Sequence, residues 1–247
     1  MLHHRTRLAA WLALAALLLL PASALAMRAG NLGESMKLSE GDIPVSLQLS
    51  GGYLWGESGE YVYDEESGRK ISELQWELRN IYMVGGTISA APADWLLVSL
   101  GGWGAVNSHS GRMTDYDWMD EDNGEWTDRS VGRTRLDHGW MFDANVMFPI
   151  NLHENFSIAP LVGFKHDNWK WHDEDMNYIY SDDGWRNDEG SMTGTGIIYE
   201  QWFYTPYAGL SVGAQYEGFS LGAYFRGTPF AWAKDKDEHL RRSITYD

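Results

Sequence analysis

The chain has 247 residues, a formal charge of −16, no cysteine, and 13 Trp, 13 Tyr and 27 Gly. That acidity repels nucleic acid and anionic headgroups, which excludes a nucleic-acid binder and makes a cationic peptide or protein the natural partner. Lack of cysteine excludes a thiol nucleophile, a thiolate metal site and a disulfide framework.

Residues 1–26 read as a signal peptide. His3, His4, Arg5 and Arg7 give a basic start, Leu8–Leu20 is an apolar run, and Ala24-Leu25-Ala26 is a small-x-small cleavage signal. The mature domain then covers 27–247, and losing Arg5 and Arg7 removes two positive charges, taking −16 to −18. The apolar run is too short to span a bilayer as a helix, and no later segment reaches that length. An exported chain of this kind is either soluble or inserted as a barrel.

Strands are predicted near 43–57, 70–90, 95–107, 136–148, 156–168, 197–216 and 219–232. The clearest alternation is in 136–148, where Trp140, Phe142, Ala144, Val146 and Phe148 share one face. In 202–214, Trp202, Tyr204, Ala208, Leu210 and Val212 oppose Thr205, Gly209, Ser211 and Gly213. The connections at 91–94, 149–155 and 217–218 are short, whereas 56–69, 107–135 and 166–196 read as long, charged loops. Short turns at one end and long loops at the other define a transmembrane β-barrel, and the aromatic supply suits its girdles. Seven strands leave two edges that cannot face lipid. With 242–247 resembling the start of an eighth, the chain is expected to lack its C-terminal strands.

Two acidic clusters carry the candidate chemistry. Asp115 and Asp117 fall beyond the third strand, and Asp237 and His239 beyond the seventh, so both pairs are expected on loops at the same end. Members two apart point the same way in extended chain. His239 would act as general base, oriented by Asp237, while Asp115 and Asp117 position a water and share a proton. His166-Asp167 with His172–Asp175 lacks a spacing that fixes metal geometry, and Asp120–Gly124 fits no calcium loop. Neither metal nor cofactor is expected, and no G-x-S-x-G, H-E-x-x-H or phosphate loop occurs.

An ordered set of stretches resembles one family, the omptins, which are outer-membrane endopeptidases of Gram-negative bacteria. The stretches are Gly68–Leu74, Met113–Asp120, Trp126–Asp128, Tyr178–Ser181, and Asp237–His239 followed by Ile244–Tyr246. The resemblance implies a ten-stranded barrel, of which about seven strands are present, with an extracellular active site. It implies peptide hydrolysis at or between basic residues by a water held between an Asp pair, Asp115 and Asp117, and a dyad, Asp237 and His239. By the same resemblance Glu60 and Asp235 bind the basic residue before the scissile bond. Asp128, near Met113, serves the one after it. The family's lipopolysaccharide-binding positions fall on Phe164, His166, Asn168 and Trp202, where its cationic contacts are missing. The rival readings are a catalytically silent truncated barrel, an adhesin with an acidic rim, and, less compatible with long loops, a small pore.

Overall fold

The computed structural model describes residues 36–37, 43–217, 219–240 and 244–246, so residues 1–26, expected to be a signal peptide, lie outside the described residues. They form one antiparallel sheet of 13 strands. In chain order these are β1 (Met36–Lys37), β2 (Val45–Tyr63), β3 (Lys70–Ala93), β4 (Leu96–Ala105), β5 (His109–Asp117), β6 (Asp128–Met147) and β7 (Ile150–His153). After them come β8 (Phe156–Tyr180), β9 (Asp188–Met192), β10 (Ile197–Tyr216), β11 (Phe219–Gly227), β12 (Trp232–His239) and β13 (Ile244–Tyr246).

β5 continues the line of β4 along β3 and β6, and β12 continues β11 along β10. The seven predicted strands are therefore all present, and β13 pairs with Asp237–His239 where the start of an eighth was expected. Among the described residues the path runs open from β1 to β13. Its walls nevertheless face each other, because Ser58 on β2 donates a 2.8 Å hydrogen bond to Gln201 on β10.

The predicted long loops are mostly strand. β2 runs on to Tyr63, β5 occupies 109–117, β6 begins at Asp128 and β8 continues to Tyr180. β8 alone has 25 residues, far beyond the roughly 9–11 that a tilted strand needs to cross a bilayer. The excess stands clear of the membrane at the end opposite the short turns.

A belt of irregularities divides the lower, lipid-facing part from this upper part. Below it, Leu49, Val84, Ile88, Leu100, Phe142, Val162, Leu210 and Phe225 are exposed on the outer face. Above it the outer face carries ion pairs such as Arg112–Glu77, Arg133–Asp175 and Arg135–Glu174. Near the boundary lie Tyr53 against Trp55 and Tyr82, and a row of Trp140, His166, Tyr204 and Trp232 in ring contact across β6, β8, β10 and β12. Aromatic rings at this level are what a membrane interface selects.

The irregularities reverse which residues point inward. On β3, Met83 and Ile81 are buried below the belt and Leu78, Trp76 and Leu74 above it, a step of three where a regular strand takes two. The extra residue is accommodated at Asn80, whose φ of 58° is a left-handed conformation that Asn tolerates. Tyr53 donates to the Asn80 side chain at 3.0 Å, and Asn107 donates to the Asn80 carbonyl at 2.6 Å. A second shift separates Leu136 from His138 on β6, and the β11–β12 break at 228–231 makes a third.

The upper lumen is filled by stacked aromatics. Trp76 lies parallel to Tyr199 at 5.5 Å and 9°, and Trp171 packs on Trp76, Tyr199 and Trp169. Gly139 makes room for this stack, since a Cβ there would lie 2.3 Å from the Trp169 ring. The lower lumen is polar: Asp143 accepts from Tyr207, Arg226 and Asn145, and Lys165 pairs with Asp167. Truncating the fully buried Trp76 to Ala should cost about 3–5 kcal/mol in denaturant unfolding from detergent micelles. Leu49→Ala, on the outer face, should cost less than about 1 kcal/mol. Equal losses would show that the aromatic stack is not the folding core.

Candidate active site

Both acidic clusters sit on strands rather than on loops, which corrects the sequence expectation. On β5, Met113, Asp115 and Asp117 alternate with Arg112, Thr114 and Tyr116. Met113 is completely buried in the aromatic core, so its face is the inner one. On β12 the inner face is Asp235, Asp237 and His239; Lys236, which pairs with Glu238, points outward. β2 presents Glu60 and β6 presents Asp128 to the same upper lumen. The rigid ladder gives these side chains fixed positions that a loop would not.

His239 Nε2 lies 2.8 Å from Asp237 Oδ2. A carboxylate only accepts, so Nε2 carries the proton and Nδ1 is the basic nitrogen. Asp237 is 4% exposed, and its Oδ1 is buried without a hydrogen-bond partner. Asp115 Oδ1 is likewise buried.

Glu60 reports how closely the clusters converge. Burial, then the charges of Asp237 and Asp235, with a smaller contribution from Asp115, push its carboxyl up from 4.5 to about 8, against the opposing effect of His239. Groups from β2, β5 and β12 therefore share one electrostatic centre above the membrane. Glu60 Oε2 is buried and has no hydrogen-bond partner. Asp235, by contrast, accepts a hydrogen bond from the Tyr199 hydroxyl at 3.3 Å.

The remaining sequence-derived positions are placed differently. Asp128 accepts from Thr127 Oγ1 and from the Ser181 amide, both at 2.8 Å, and so ties the turn before β6 to the turn after β8. Met113 lies beneath Asp115, where it can only form the floor of a site. Phe164, His166, Asn168 and Trp202 occupy neighbouring positions on β8 and β10, with Asn168 opposite Trp202. His166 stacks on Tyr204 at 4.5 Å, and Asn168 is engaged by His138 and Glu200. A cavity of about 780 Å³ lined by Arg112, Thr114, Tyr116 and Arg129 opens on the other face of β5 and is separate from this site.

Sequence reading missed Ser58, Tyr199 and Gln201, all nearly fully buried below the carboxylates. The available signal was the spacing of two between Tyr199 and Gln201 on a strand whose opposite face carries Trp202 and Tyr204.

An antiparallel sheet with a lipid-facing outer belt, aromatic girdle and acidic, His-bearing upper lumen defines an outer-membrane β-barrel. The chain belongs to the Omptin family, whose model matches residues 42–247. It is 35% identical over 203 residues to the plasminogen activator of Yersinia pestis, covering 81% of this chain and 64% of that protein. It is 34% identical over 208 residues to the outer membrane protease OmpP of Escherichia coli (strain K12), covering 82% and 66%. The crystal structure of the outer membrane protease OmpT from Escherichia coli matches with a TM-score of 0.74 at 33% identity, over 81% of this chain and 69% of that one. The chain thus spans just under two thirds of the length of these curated relatives.

Because folding raises the proton affinity of Glu60, its contribution to stability is complete below pH 4.5 and is lost as pH rises towards 8. Glu60→Gln should therefore match the parent in thermal unfolding near pH 4.5. It should become progressively more stable than the parent on approach to pH 9, by on the order of a few kcal/mol. A stability difference that does not change with pH would contradict the buried, crowded carboxyl.

Proposed function

We propose that this protein is an outer-membrane endopeptidase that hydrolyses peptide bonds at or between basic residues of cationic peptides and proteins at the cell surface. The observation that carries this reading is the Asp237–His239 pair, buried in the same lumen as Asp115 and sharing with it the electrostatic surroundings of Glu60. The curated relatives are themselves called a plasminogen activator and an outer membrane protease.

In the proposed reaction a water lies between Asp115 and Asp117 on one wall and His239 on the other. His239 Nδ1 takes one proton as the oxygen attacks the scissile carbonyl, and Asp237 stabilises the resulting imidazolium. The carboxyl pair on β5 holds the attacking water and shares a proton, which avoids two adjacent full charges. The imidazolium then protonates the departing amine, and peptide cleavage completes with the base restored. This is aspartate–histidine chemistry requiring no covalent enzyme intermediate.

Glu60 and Asp235 supply the pocket for the basic side chain before the scissile bond, since paired carboxylates match a guanidinium. Asp128 and Met113 are assigned to the side chain that follows. The formal charge of −16 favours approach of such substrates. With Phe164, His166, Asn168 and Trp202 in place of charged lipid contacts, lipopolysaccharide enters this reading as surrounding lipid rather than as a phosphate-bound activator.

Asp237→Asn and His239→Ala should each lower kcat/KM on an Arg–Arg peptide by about 10²–10⁴-fold while the strand signal in circular dichroism is kept. Turnover at the parent rate in either purified variant would remove the dyad from the mechanism.

A further inference from the structure

Below the two pocket carboxylates runs a chain of hydrogen bonds with one direction. Ser58 Oγ donates to Gln201 Oε1 at 2.8 Å, Gln201 Nε2 donates to the Tyr199 hydroxyl at 2.6 Å, and that hydroxyl donates to Asp235 Oδ2 at 3.3 Å. Ser58, Gln201 and Tyr199 are each no more than 2% exposed. The Tyr199 ring cannot swing away, because Trp76 stacks on it and Trp171 packs alongside. Donors aligned in series polarise one another and aim the phenol hydrogen at Asp235, although at 3.3 Å this last bond is longer than the two that feed it.

The partner carboxyl gets no such help. Glu60 Oε2 is buried with no hydrogen-bond partner. Like charges in one pocket disfavour one another, and a hydrogen-bond donor favours the charged form of the carboxyl it reaches.

We infer that Tyr199 is a positioning residue that decides where the pocket's negative charge resides, holding it on Asp235 and leaving Glu60 as the carboxyl that surrenders a proton when a cationic side chain enters. This role rests on the assignment of Glu60 and Asp235 as the basic-residue pocket. The charged groups acting on Glu60 include Asp237, Asp235 and His239 from β12 and Asp115 from β5. The stacked side chains from β3 and β8 are Trp76 and Trp171, which do not titrate. Burial and the acidic neighbours hold Glu60 protonated near neutrality, which agrees with this division. Entry of a guanidinium then exchanges a proton for a cation, and occupancy by basic side chains strengthens as pH rises.

The experiment is a pH series of KM and kcat from pH 5.5 to 9.5 on the detergent-solubilised protein. It uses two peptides that differ only in Arg or citrulline before the scissile bond. For the parent, KM of the Arg peptide should fall with pH while that of the citrulline peptide stays flat. Tyr199→Phe keeps the stacked ring and removes the final donor. Its KM for the Arg peptide should rise about three- to tenfold at pH 5.5 and converge with the parent at pH 9.5, with kcat little changed. Ser58→Ala, remote from Asp235, should shift KM in the same direction by less and guards against a folding defect in the first variant. A loss equal at every pH, or none, in both variants would overturn the role of Tyr199 while leaving the pocket assignment intact. If the parent does not distinguish Arg from citrulline, the pocket assignment falls and this role with it.

Discussion

The structure depends on its antiparallel ladder. In hydrocarbon every backbone N–H and C=O must be paired within the protein, and only a sheet rolled upon itself achieves this with strands. The ladder imposes a strict alternation, so a shift of one residue exchanges the lumen for the lipid. Every functional assignment in this chain is a statement about that alternation. Met113, Asp115 and Asp117 share a face because they lie two apart on β5, and so do Asp235, Asp237 and His239 on β12.

That constraint explains the belt of irregularities across the sheet. Continuing the lower alternation of β3 unchanged would turn Leu78, Trp76 and Leu74 outward and empty the upper lumen. The insertion at Asn80, clasped by Tyr53 and Asn107, resets the alternation at the membrane boundary. β10 has no reset: Ile197, Tyr199, Gln201, Tyr207 and Ser211 remain buried on one face along its length. β10 therefore serves as the straight reference against which β12, paired from Ile197–His239 to Tyr204–Trp232, is aligned. Asp173 reinforces that reference by accepting hydrogen bonds from the Gly196 and Ile197 amides, directly beside His239.

The lower half of the barrel was legible in the sequence because lipid demands large apolar residues at alternate positions. Trp140, Phe142 and Phe164 announce their strands for that reason. The upper parts of β2, β5, β6, β8 and β12 were misread as loops because their outer faces are charged and their inner faces mix carboxylates and small polar residues with apolar ones, which blurs the alternation. The upper parts of β3 and β10, with Leu74, Trp76 and Leu78 or Ile197 and Tyr199 inward, fell within predicted strands. The reset on β6 compounded the error, since the predicted strand begins at 136, where the alternation steps. The two acidic pairs were visible nonetheless, because D-x-D and D-x-H keep their spacing wherever the strand begins. Tyr199 and Gln201 were not found, as an inward Tyr and Gln above a membrane carry no composition signal that distinguishes them from an outer rim.

The same geometry sets a conflict between folding and chemistry. Gathering Glu60, Asp115, Asp235, Asp237 and His239 under low solvent exposure raises the energy of the unligated state, as the displaced protonation of Glu60 records. Water would relieve that repulsion by screening it, but water would also weaken the negative field of the site. The chain resolves the conflict by placing the acids directly over a dry aromatic stack, whose burial stabilises the strands that the acids strain. Trp76 and Tyr199 belong to both parts: their rings fill the core, and the Tyr199 hydroxyl reaches Asp235. A site on flexible loops could separate its like charges. One built on the ladder keeps them together, which is the condition on which the proposed binding of a cationic side chain rests.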